Sequence, residues 1–302
     1  MEIEFLKNLL NEFKENIRFE HDLKKKNWFN IGGKTKVFFK AENLKDLVNF
    51  LKKLENKEKI FILGAGSNTL VSDDLFDGVV IKLSKNFNNI SLLGKDIIID
   101  VSAVLDKSLS EFAIENNLSG FEFLSCIPGT IGGGIRMNAG CFGREFKDIL
   151  LSIQAIDKLG NVITIPSKDV KFEYRKNSLP DDLIFLSASF KGKMGNAKEI
   201  KDQTNELKAK KEKTQPTKIK TSGSTFKNPL SQTDKKVWEL IKQSVSLDQS
   251  FGDAHISKKH CNFFVNKGDA TFNDMNKLIK FVSEKVFEKT GIRLEKEIKI
   301  LE

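Results

Sequence analysis

The hydrophobic residues of this chain follow two spacings, one typical of helices and one of strands. Between residues 2 and 19, Leu6, Leu10, Phe13 and Ile17 recur every three or four positions and predict an amphipathic helix. The same spacing predicts helices at 44–54, which Asn43 can cap, and at 106–117, 198–213, 237–245 and 278–286. β-rich runs predict strands after Gly33 and at 59–63, 79–83, 97–101, 149–157, 161–165, 183–190, 261–266 and 293–300, with LGN at 159–161 as a hairpin turn. This order is that of an α+β protein with at least three units, and not of a regular βαβ series.

Residues 120–143, GFEFLSCIPGTIGGGIRMNAGCFG, hold seven of the chain's 20 glycines. Glycine loses more conformational entropy on folding than any other residue, so this density indicates turns with positive φ or a backbone that lies close against a flat or anionic partner. Ile127, Ile131, Ile135 and Met137 make the run too apolar for a solvent loop. We therefore predict a buried segment that lines a cofactor through its backbone.

A second glycine turn, LGAGSN, follows the predicted strand at 59–63. Gly64 and Gly66 satisfy the first half of the dinucleotide fingerprint GxGxxG, but the third position is Thr69. The continuation LVSDDLFDGVVIKL predicts a turn and a strand where the fingerprint demands a helix. The sequence thus argues against a Rossmann fold, while the amides of residues 64–68 are expected to face a phosphate.

Composition limits the class of protein and its partners. The chain has 302 residues, of which 39% are hydrophobic and 30% charged, enough for two or three domains. No run approaches the ~18 apolar residues of a membrane span, and the acidic start MEIEFLKNLL does not resemble a secretory signal. We expect a cytoplasmic monomer without membrane insertion.

The excess of positive charge comes almost entirely from lysine. The formal net charge is +9, yet only five of the 50 basic residues are arginine. Proteins that recognise nucleic-acid sequences rely on arginine for bidentate contacts with the bases. Because arginine is scarce here, a nucleic-acid partner is not expected. The three cysteines, Cys126, Cys141 and Cys261, lack CxxC spacing and an even count, which indicates a reducing compartment and no metal site.

Short polar motifs supply candidate chemistry. In FEYRKNS, Arg175 follows the only tyrosine, Tyr174, as in a clamp for a carboxylate or phosphate, although a surface arginine fits equally well. In SGSTFKNP, Ser224 lacks a GxSxG elbow, so a hydrolase nucleophile is disfavoured. A proton-donating hydroxyl, with Lys227 and Asn228 holding an anion, fits this motif as well as a capping serine does.

Two further motifs lie on predicted strands. In KKHCNFFVN, His260 lies at the start of a predicted strand, with Asn262 on the same face and Cys261 on the other. We expect His260 to contribute to ligand binding at most, and not to catalysis. In RLEKEIKIL, alternation places Glu295 and Glu297 on one face. A buried acid there could be a proton donor or an electrostatic partner, and spacing alone does not choose between the two glutamates.

In order along the chain, these motifs resemble the UDP-N-acetylenolpyruvoylglucosamine reductase family, flavoenzymes that complete UDP-N-acetylmuramate in peptidoglycan synthesis. The resemblance runs from Trp28 to the carboxyl end. Its motifs are WFNIGG, LGAGSNTLV, the glycine-rich run at 120–143, FEYRKNS, GSTFKNP, HCNFFVN and LEKEIK. It implies an α+β fold, with a two-subdomain FAD-binding module similar to the vanillyl-alcohol-oxidase (PCMH) type and a C-terminal α+β substrate-binding domain. The implied domains are 1–84 rejoined by 297–302, then 85–213, then 214–296.

The resemblance also implies the cofactors and their contacts. NADPH would reduce a bound FAD and leave, and the UDP-sugar enolpyruvate substrate would then enter. The FAD pyrophosphate would meet Gly64, Ala65, Gly66, Ser67 and Asn68. The flavin would be lined by Ser125, Pro128, Gly129, Thr130, Gly133, Gly134, Met137, Asn138, Ala139 and Gly140.

The same resemblance assigns the chemistry. A hydride would pass from flavin N5 to C3 of the enolpyruvyl group, and Ser224 would donate the proton to C2. Arg175 would polarise the substrate carboxylate, and a protonated Glu297 would share that stabilisation. Tyr174, Lys227, Asn228 and His260 match substrate-binding positions.

The chain departs from the family pattern twice. Only seven residues separate Arg175 from Leu183, which leaves no room for an extra substrate loop and places the chain with the loop-less type II subclass. Lys296 replaces the proline usual between the two acids.

Two alternatives to this reductase function remain. The first is another FAD-linked oxidoreductase of the same fold, which is weakened because the Ser224 and Glu297 motifs lie outside the flavin-binding half. The second is a basic nucleotide- or RNA-binding protein, which is weakened by the scarcity of arginine.

Overall fold

A computed structural model of the chain describes residues 2–94, 97–101 and 103–302. Its contacts divide the chain into two compact units. The first comprises Met1–Phe19, Lys36–Ala65 and Asp77–Lys211, and the second comprises Glu20–Thr35, Gly66–Phe76 and Glu212–Glu302. The three predicted domains, with boundaries at 84, 213 and 296, stay a prediction. Residues 1, 95, 96 and 102 within them lie outside the described residues.

Helices and strands occur along the whole length of the described chain. The helices are α1 (Ile3–Leu9), α2 (Leu44–Leu54), α3 (Asp106–Glu115), α4 (Ile131–Arg136), α5 (Ala197–Thr214), α6 (Val237–Ser244) and α7 (Phe272–Thr290). The strands up to the glycine-rich segment are β1 (Ile17–Asp22), β2 (Lys34–Ala41), β3 (Ile60–Ile62), β4 (Thr69–Val71), β5 (Phe76–Leu83), β6 (Ser91–Leu93), β7 (Ile97–Val101) and β8 (Leu118–Ser119). The later strands are β9 (Gly140–Cys141), β10 (Arg144–Glu145), β11 (Leu150–Ile156), β12 (Val162–Pro166), β13 (Phe172–Glu173), β14 (Lys176–Asn177), β15 (Ile184–Lys191), β16 (Lys193–Met194), β17 (Ser250–Phe251), β18 (Ala254–Ile256), β19 (Phe264–Asn266) and β20 (Lys299–Leu301). Among the described residues, no helix is long and apolar enough to cross a membrane.

The first unit contains a five-stranded sheet and most of a four-stranded sheet, with strand orders β12-β11-β15-β7-β6 and β1-β2-β5-β3. Helix α2 covers the four-stranded sheet, where the rings of Phe39 and Phe50 stack 3.8 Å apart. Phe146 and Phe190 meet edge to face at 6.0 Å in the core beneath the glycine-rich segment. Strands β3 and β5 pair in parallel, so the turn at Gly64 leaves the carboxyl end of β3.

The second unit packs α6 and α7 against the three-stranded sheet β17-β18-β19. Helix α7 begins at a capping box formed by Thr271 and Asp274, and it ends at Gly291, whose φ of 72° suits glycine. Its buried face includes Leu278, Val282 and Val286. Strand β20 pairs in parallel with β4, so the last residues of the chain return to the segment that follows the second glycine turn.

Elements with strong local signals lie where the sequence predicts them. The side chain of Asn43 accepts a hydrogen bond from the backbone N–H of Asp46 and caps α2, a contact that typically stabilises a helix by about 1 kcal/mol. The predicted hairpin turn joins β11 to β12, with Gly160 at a φ of 85°. No helix follows the second glycine turn, because β4 and then β5 occupy those residues. The sequence-based argument against a Rossmann turn is therefore confirmed.

The predicted helix at 2–19 is wrong beyond Leu9. After α1 the chain forms a 3₁₀ turn in which the N–H of Phe13 donates to the carbonyl of Leu10. Ile17 then opens β1. Leu6, Phe13 and Ile17 are nevertheless all buried, because a helix, a tight turn and a strand can place the same apolar residues in one core.

Two predicted strands are shorter than expected, because some of their residues form a turn or pair with another segment instead. Residues 260–263 form a turn closed by a hydrogen bond from the N–H of Phe263 to the carbonyl of His260, and β19 begins only at Phe264. Cys261 and Asn262 are both buried, so the predicted alternation of faces there is wrong. The last strand covers only Lys299–Leu301, because residues 295–297 pair with residues 225–227.

Candidate active site

The predicted site residues form two groups, one in each unit. The first unit holds Gly64, Ala65, Ser125, Pro128, Gly129, Thr130, Gly133, Gly134, Met137, Asn138, Ala139, Gly140, Tyr174 and Arg175. The second unit holds Gly66, Ser67, Asn68, Ser224, Lys227, Asn228, His260 and Glu297. No cluster of three His, Cys, Asp or Glu residues suited to a metal ion occurs in the part of the chain that the structure describes.

In the first unit, protein packing explains some of the glycines in the glycine-rich segment. A Cβ on Gly134 would lie 2.2 Å from the ring of Phe146, and a Cβ on Gly140 would lie 2.4 Å from the carbonyl oxygen of Arg144. A Cβ on Gly64 would meet Thr130 Oγ1 at 2.6 Å, so the second glycine turn packs against the start of α4. These positions need glycine for the fold itself.

Gly133 is different, because the protein leaves room beside it. It is exposed, and the nearest atom to a Cβ there, Thr130 Oγ1, is at the ordinary contact distance of 3.5 Å. Gly133 therefore presents bare backbone on α4, next to half-buried Met137, whose N–H donates to the carbonyl of Gly133. A surface of this kind allows a flat ring to approach the main chain closely, and so fits the predicted FAD.

Asn138 holds the end of the glycine-rich segment in place. The residue is fully buried at a φ of 39°, a conformation that asparagine tolerates better than most residues. Its amide nitrogen donates to Glu145 Oε2 and to the carbonyl of Glu173, each at 3.1 Å, and its side-chain oxygen accepts from the N–H of Lys147. Both side-chain hydrogens are thus used inside the protein, and the structure gives this predicted cofactor residue a positioning role.

Arg175 lies at the tip of the two-residue turn between β13 and β14, with a φ of 57°. Its Nη2 donates to the carbonyl oxygen of Gly140 at 3.2 Å, and its guanidinium carbon lies 4.9 Å from the ring centroid of Tyr174. Strained backbone of this kind persists where the surroundings fix it, and it is common at functional sites. The side chain is therefore held against the glycine-rich segment, and the choice between a ligand clamp and a surface arginine stays a prediction.

In the second unit, residues 224–227 run between two other segments. Ser224 pairs with Phe263, and Phe226 pairs with Lys296. The N–H of Thr225 donates to the carbonyl of Asn262 at 2.8 Å, while the carbonyl of Thr225 accepts from the N–H of Glu297 at 2.8 Å. The three motifs GSTFKNP, HCNFFVN and LEKEIK, which lie far apart in sequence, therefore meet here.

Hydrogen bonds also connect Glu297 with the second glycine turn. Asn68 Nδ2 donates to the carbonyl of Glu297 at 3.1 Å, and the carbonyl of Asn68 accepts from the N–H of Lys299 at 2.9 Å. The other acid of the pair, Glu295, instead forms an ion pair with Lys227, with 2.5 Å between Nζ and Oε1. The two glutamates therefore have different surroundings in the structure, a difference that their spacing in the sequence does not reveal.

Asn228 and His260 have recognisable structural roles. Asn228 Oδ1 accepts from the N–H of Val237 at the first residue of α6, so its side chain acts in part as a helix cap. The ring of His260 contacts Phe263 edge to face at 4.7 Å, and its buried Nδ1 has no hydrogen-bond partner among the described residues. Burial lowers the pKa of His260, which keeps the imidazole neutral at neutral pH.

Several positioning residues had no signal in the sequence. Arg136 extends from α4 and donates to the carbonyls of Leu179, Pro180 and Leu183, which fixes the helix against the segment before β15. Lys82 donates to the carbonyl of Gly64 and supports the second glycine turn. The scarcity of arginine could have drawn attention to Arg136, but nothing in the sequence indicates its three carbonyl partners.

Comparisons with known proteins agree with this geometry. Residues 35–166 match a family described as FAD binding domain, and residues 215–301 match the C-terminal domain of UDP-N-acetylenolpyruvoylglucosamine reductase. The reductase of that name from Pelagibacter ubique is 68% identical over 301 residues, which cover 100% of both chains. The one from Rickettsia bellii is 46% identical over 284 residues, covering 93% of this chain and 92% of its own. The solved structure of the Thermus caldophilus enzyme (MurB) aligns with a TM-score of 0.82 at 30% identity, covering 95% of this chain and 100% of that one.

An FAD-binding module joined to a separate C-terminal domain defines the class of protein as a flavin-dependent oxidoreductase of α+β fold. The predicted fold class and cofactor FAD are confirmed. The chain belongs to the UDP-N-acetylenolpyruvoylglucosamine reductase family.

Proposed function

We propose that this enzyme reduces the enolpyruvyl group of UDP-N-acetylglucosamine enolpyruvate to give UDP-N-acetylmuramate for peptidoglycan synthesis, with NADPH as the electron source. The observation that carries the proposal is the meeting of three motifs in the second unit, where the segments of Ser224, Glu297 and His260 are joined by main-chain hydrogen bonds. These motifs lie outside residues 35–166, which match the FAD-binding family. They are therefore a feature of this reductase rather than of FAD-binding domains in general. We place the reaction in the cytoplasm, where NADPH and nucleotide sugars are made.

The shape of the backbone supports the proposed cofactor-binding roles. When bound, FAD would accept a hydride from NADPH and deliver it to C3 of the enolpyruvyl group. The amides of residues 64–68 would hold its pyrophosphate, since backbone N–H groups of glycine turns suit anions. The bare turn around Gly133 would lie against its ring, with Met137 and Ala139 beside it.

Ser224 would donate the proton that C2 requires. It is half-buried, whereas Ser222, Thr225 and Phe226 around it are buried, so its hydroxyl is the one in this run that a ligand can reach. A serine hydroxyl is a weak acid in water, but it suffices for a carbanion-like centre when held within hydrogen-bond reach. Pairing on both sides of the segment would supply that positioning.

Arg175 and Glu297 would stabilise the negative charge that builds on the substrate carboxylate. A guanidinium that is already fixed by Gly140 and Tyr174 need not reorganise during the reaction, and preorganised donors of this kind contribute most to catalysis. Glu297, as a neutral acid, would add a second hydrogen-bond donor. Substrate binding would use Lys227 for the diphosphate, together with Tyr174, Asn228 and a neutral His260.

The experiment that tests the proposal separates the two half-reactions in an anaerobic stopped-flow instrument. Enzyme loaded with FAD should bleach with NADPH and recover its colour only with the enolpyruvyl substrate. Ser224→Ala should bleach normally and recover more slowly by a factor on the order of 10², as loss of a general acid typically does. Ser222→Ala is the matched control, because the Ser222 hydroxyl bonds the carbonyl of Thr69 and has no proposed chemical role.

Two outcomes would contradict the proposal. Equal rates of recovery in Ser224→Ala and the unchanged enzyme would remove Ser224 from the mechanism. Bleaching by NADPH with no recovery on addition of the substrate would indicate a different electron acceptor, and so another oxidoreductase of the same fold.

A further inference from the structure

The hairpin β13–β14 carries Tyr174 and Arg175 at its tip and is closed at its base by hydrogen bonds. The N–H of Lys171 donates to Ser178 Oγ, and the N–H of Ser178 donates to the carbonyl of Lys171, each at 3.0 Å. A two-stranded hairpin is at best marginally stable by itself in water. Its position therefore depends on contacts with other parts of the first unit.

Asn177 attaches strand β14 to the end of helix α4. Its side chain is buried, and its Nδ2 donates to the carbonyls of Ile135 and Arg136 at 2.9 and 3.1 Å. These are the last two residues of α4, and the last carbonyls of a helix need partners from outside the helix. Asn177 Oδ1 accepts from the N–H of Leu179 at 3.0 Å. The amide of Asn177 thus bonds the protein itself through both its nitrogen and its oxygen.

The residues that follow α4 hold the rest of the hairpin. Asn138 Nδ2 donates to the carbonyl of Glu173 in β13 at 3.1 Å, and at the tip Arg175 Nη2 donates to the carbonyl of Gly140 at 3.2 Å. Residues 135–140 therefore fix the hairpin at three separate points, one on each strand and one at the tip. Three points define an orientation, whereas two leave a rotation about the line that joins them. Asn177 supplies the point on β14.

Asn177 is also closer to Arg175 in the chain than the next contact on this side. It lies two residues away, whereas Arg136 holds the carbonyls of Leu179, Pro180 and Leu183. Loss of the Asn177 amide leaves that later segment attached and releases the strand that leads to the guanidinium. The expected result is a displaced Arg175 in a folded protein.

We propose that Asn177 is a positioning residue of the reductase reaction, which sets where the guanidinium of Arg175 lies relative to the segment predicted to line the flavin. This inference rests on the proposed function, in which Arg175 polarises the substrate carboxylate. A donor aimed at developing charge acts because it is preorganised, so its effect falls when it must move during the reaction. A displacement of about 1 Å can slow a reaction by a factor on the order of 10². Asn177 acts through Arg175 and does not touch the substrate.

Asn116 supplies a matched control in the same unit. It follows α3, and its Nδ2 donates to the carbonyl of Phe112 at 2.8 Å, so it also bonds a carbonyl in the last turn of a helix. This bond stays within one element and involves no residue of the hairpin. Asn116→Ala therefore removes the same kind of hydrogen bond without releasing Arg175.

The experiment is a double-mutant cycle in the FAD-loaded enzyme, in which stopped flow follows reduction by NADPH and recovery of colour with the enolpyruvyl substrate. Asn177→Ala should leave reduction nearly unchanged and slow recovery by a factor on the order of 10. In an enzyme that already carries Arg175→Ala, the same substitution should have no further effect, because residues that act through one contact are not additive. Asn116→Ala should leave both steps intact. Asn177→Ser keeps one hydroxyl donor and should have a smaller effect, and it replaces the alanine variant in the cycle if that variant loses FAD.

A second readout needs neither substrate nor turnover. Tyr174 is the only tyrosine of the chain, and its ring centroid lies 4.9 Å from the guanidinium carbon of Arg175. FAD-loaded enzyme produced with 3-fluorotyrosine therefore gives a single fluorine resonance from the tip of the hairpin. This resonance should shift or broaden in Asn177→Ala and stay in place in Asn116→Ala.

Either of two results would overturn the inference. One is a fluorine resonance that does not change in Asn177→Ala, because the hairpin would then keep its position without the amide. The other is equal slowing of recovery with and without Arg175, because Asn177 would then act by another route. If the unchanged enzyme does not recover its colour with the enolpyruvyl substrate, the proposed function fails, and the fluorine resonance still decides whether Asn177 positions the hairpin.

Discussion

Lys227 Nζ lies 2.5 Å from Glu295 Oε1, and this ion pair separates Glu295 from the other acid of the motif, Glu297. The side chain of Glu295 is 73% exposed, so the pair itself contributes little to stability. Glu297 is half-buried, and its main chain is fixed on both sides by Thr225 and Asn68. We therefore expect Glu297, and not Glu295, to be the acid with a chemical role.

Replacing each acid with alanine tests this assignment. We expect Glu297→Ala to lower kcat by a factor on the order of 10² or more, because it removes a donor that acts on developing charge. Glu295→Ala is the matched control and should keep kcat, changing KM at most severalfold through the released Lys227. Steady-state kinetics with the enolpyruvyl substrate measure both, and equal losses in kcat would contradict the assignment.

Local signals in the sequence predict much of the secondary structure. Asn43 marks the start of α2 because a side-chain cap needs only residues three positions away, and Gly160 marks a hairpin because its positive φ is a property of one residue. The strand at Ile17 and the turn at His260 could not be predicted in this way. In both places pairing with a distant segment determines the backbone, and the apolar spacing is compatible with more than one local structure.

The same contrast between local signals and contacts of distant segments applies to the site. Residue type and motif order predict roles for Arg175, Ser224 and the glycine-rich segment. They did not reveal that both side-chain hydrogens of Asn138 are used inside the protein, or that Arg136 donates to three carbonyls. Such facts depend on contacts between segments, and a single sequence does not encode them in any spacing.

Gly133 and Gly134 are neighbours that should respond differently to the same substitution. Gly134→Ala should destabilise the FAD-free protein by roughly 1–3 kcal/mol, because the new methyl group would lie 2.2 Å from the ring of Phe146. Gly133→Ala meets no such obstacle, and alanine in a helix should stabilise the FAD-free protein by up to about 1 kcal/mol. We nevertheless expect it to weaken FAD binding, since the methyl group would occupy the space left for the ring.

Denaturant unfolding without FAD and titration with FAD separate the two effects. The expected pattern is a less stable Gly134→Ala, and a stable Gly133→Ala with a raised Kd for FAD. If Gly133→Ala bound FAD as tightly as the unchanged protein, the flavin could not lie against this turn.

Arg175→Lys tests the carboxylate clamp. Lysine keeps the positive charge, but its single ammonium group cannot reproduce the planar fork that bonds Gly140 while presenting donors to a carboxylate. We expect kcat/KM for the enolpyruvyl substrate to fall by a factor on the order of 10², with flavin reduction by NADPH nearly unchanged. Lys176→Ala, which removes an exposed charge at the next position, should leave both steps intact. Near-normal turnover of Arg175→Lys would rule out the clamp.

The acidity of Cys126 predicts how its reactivity depends on pH. A pKa lowered to about 6 means that the thiolate predominates at neutral pH, so the rate of alkylation by iodoacetamide should level off above about pH 7. For an ordinary thiol with a pKa of about 8.5, the rate would still be rising there. Because the folded-state pKa lies below that of the unfolded chain, this thiolate contributes stability that is fully present above the unfolded value and is lost as the pH falls through about 6.

Cys141→Ala removes the thiol that contributes most to the lowered pKa of Cys126. The alkylation profile of Cys126 should therefore shift to higher pH in this variant, and its rate at pH 7 should fall. Cys261→Ser should leave the profile of Cys126 where it is, because Cys261 donates to the carbonyl oxygen of Trp238 and contributes nothing to the lowered pKa of Cys126. Peptide-resolved alkylation at a series of pH values measures all three proteins. An unshifted profile in Cys141→Ala would show that Ser125 and the lysines are enough to stabilise the thiolate, and that Cys141 is not needed.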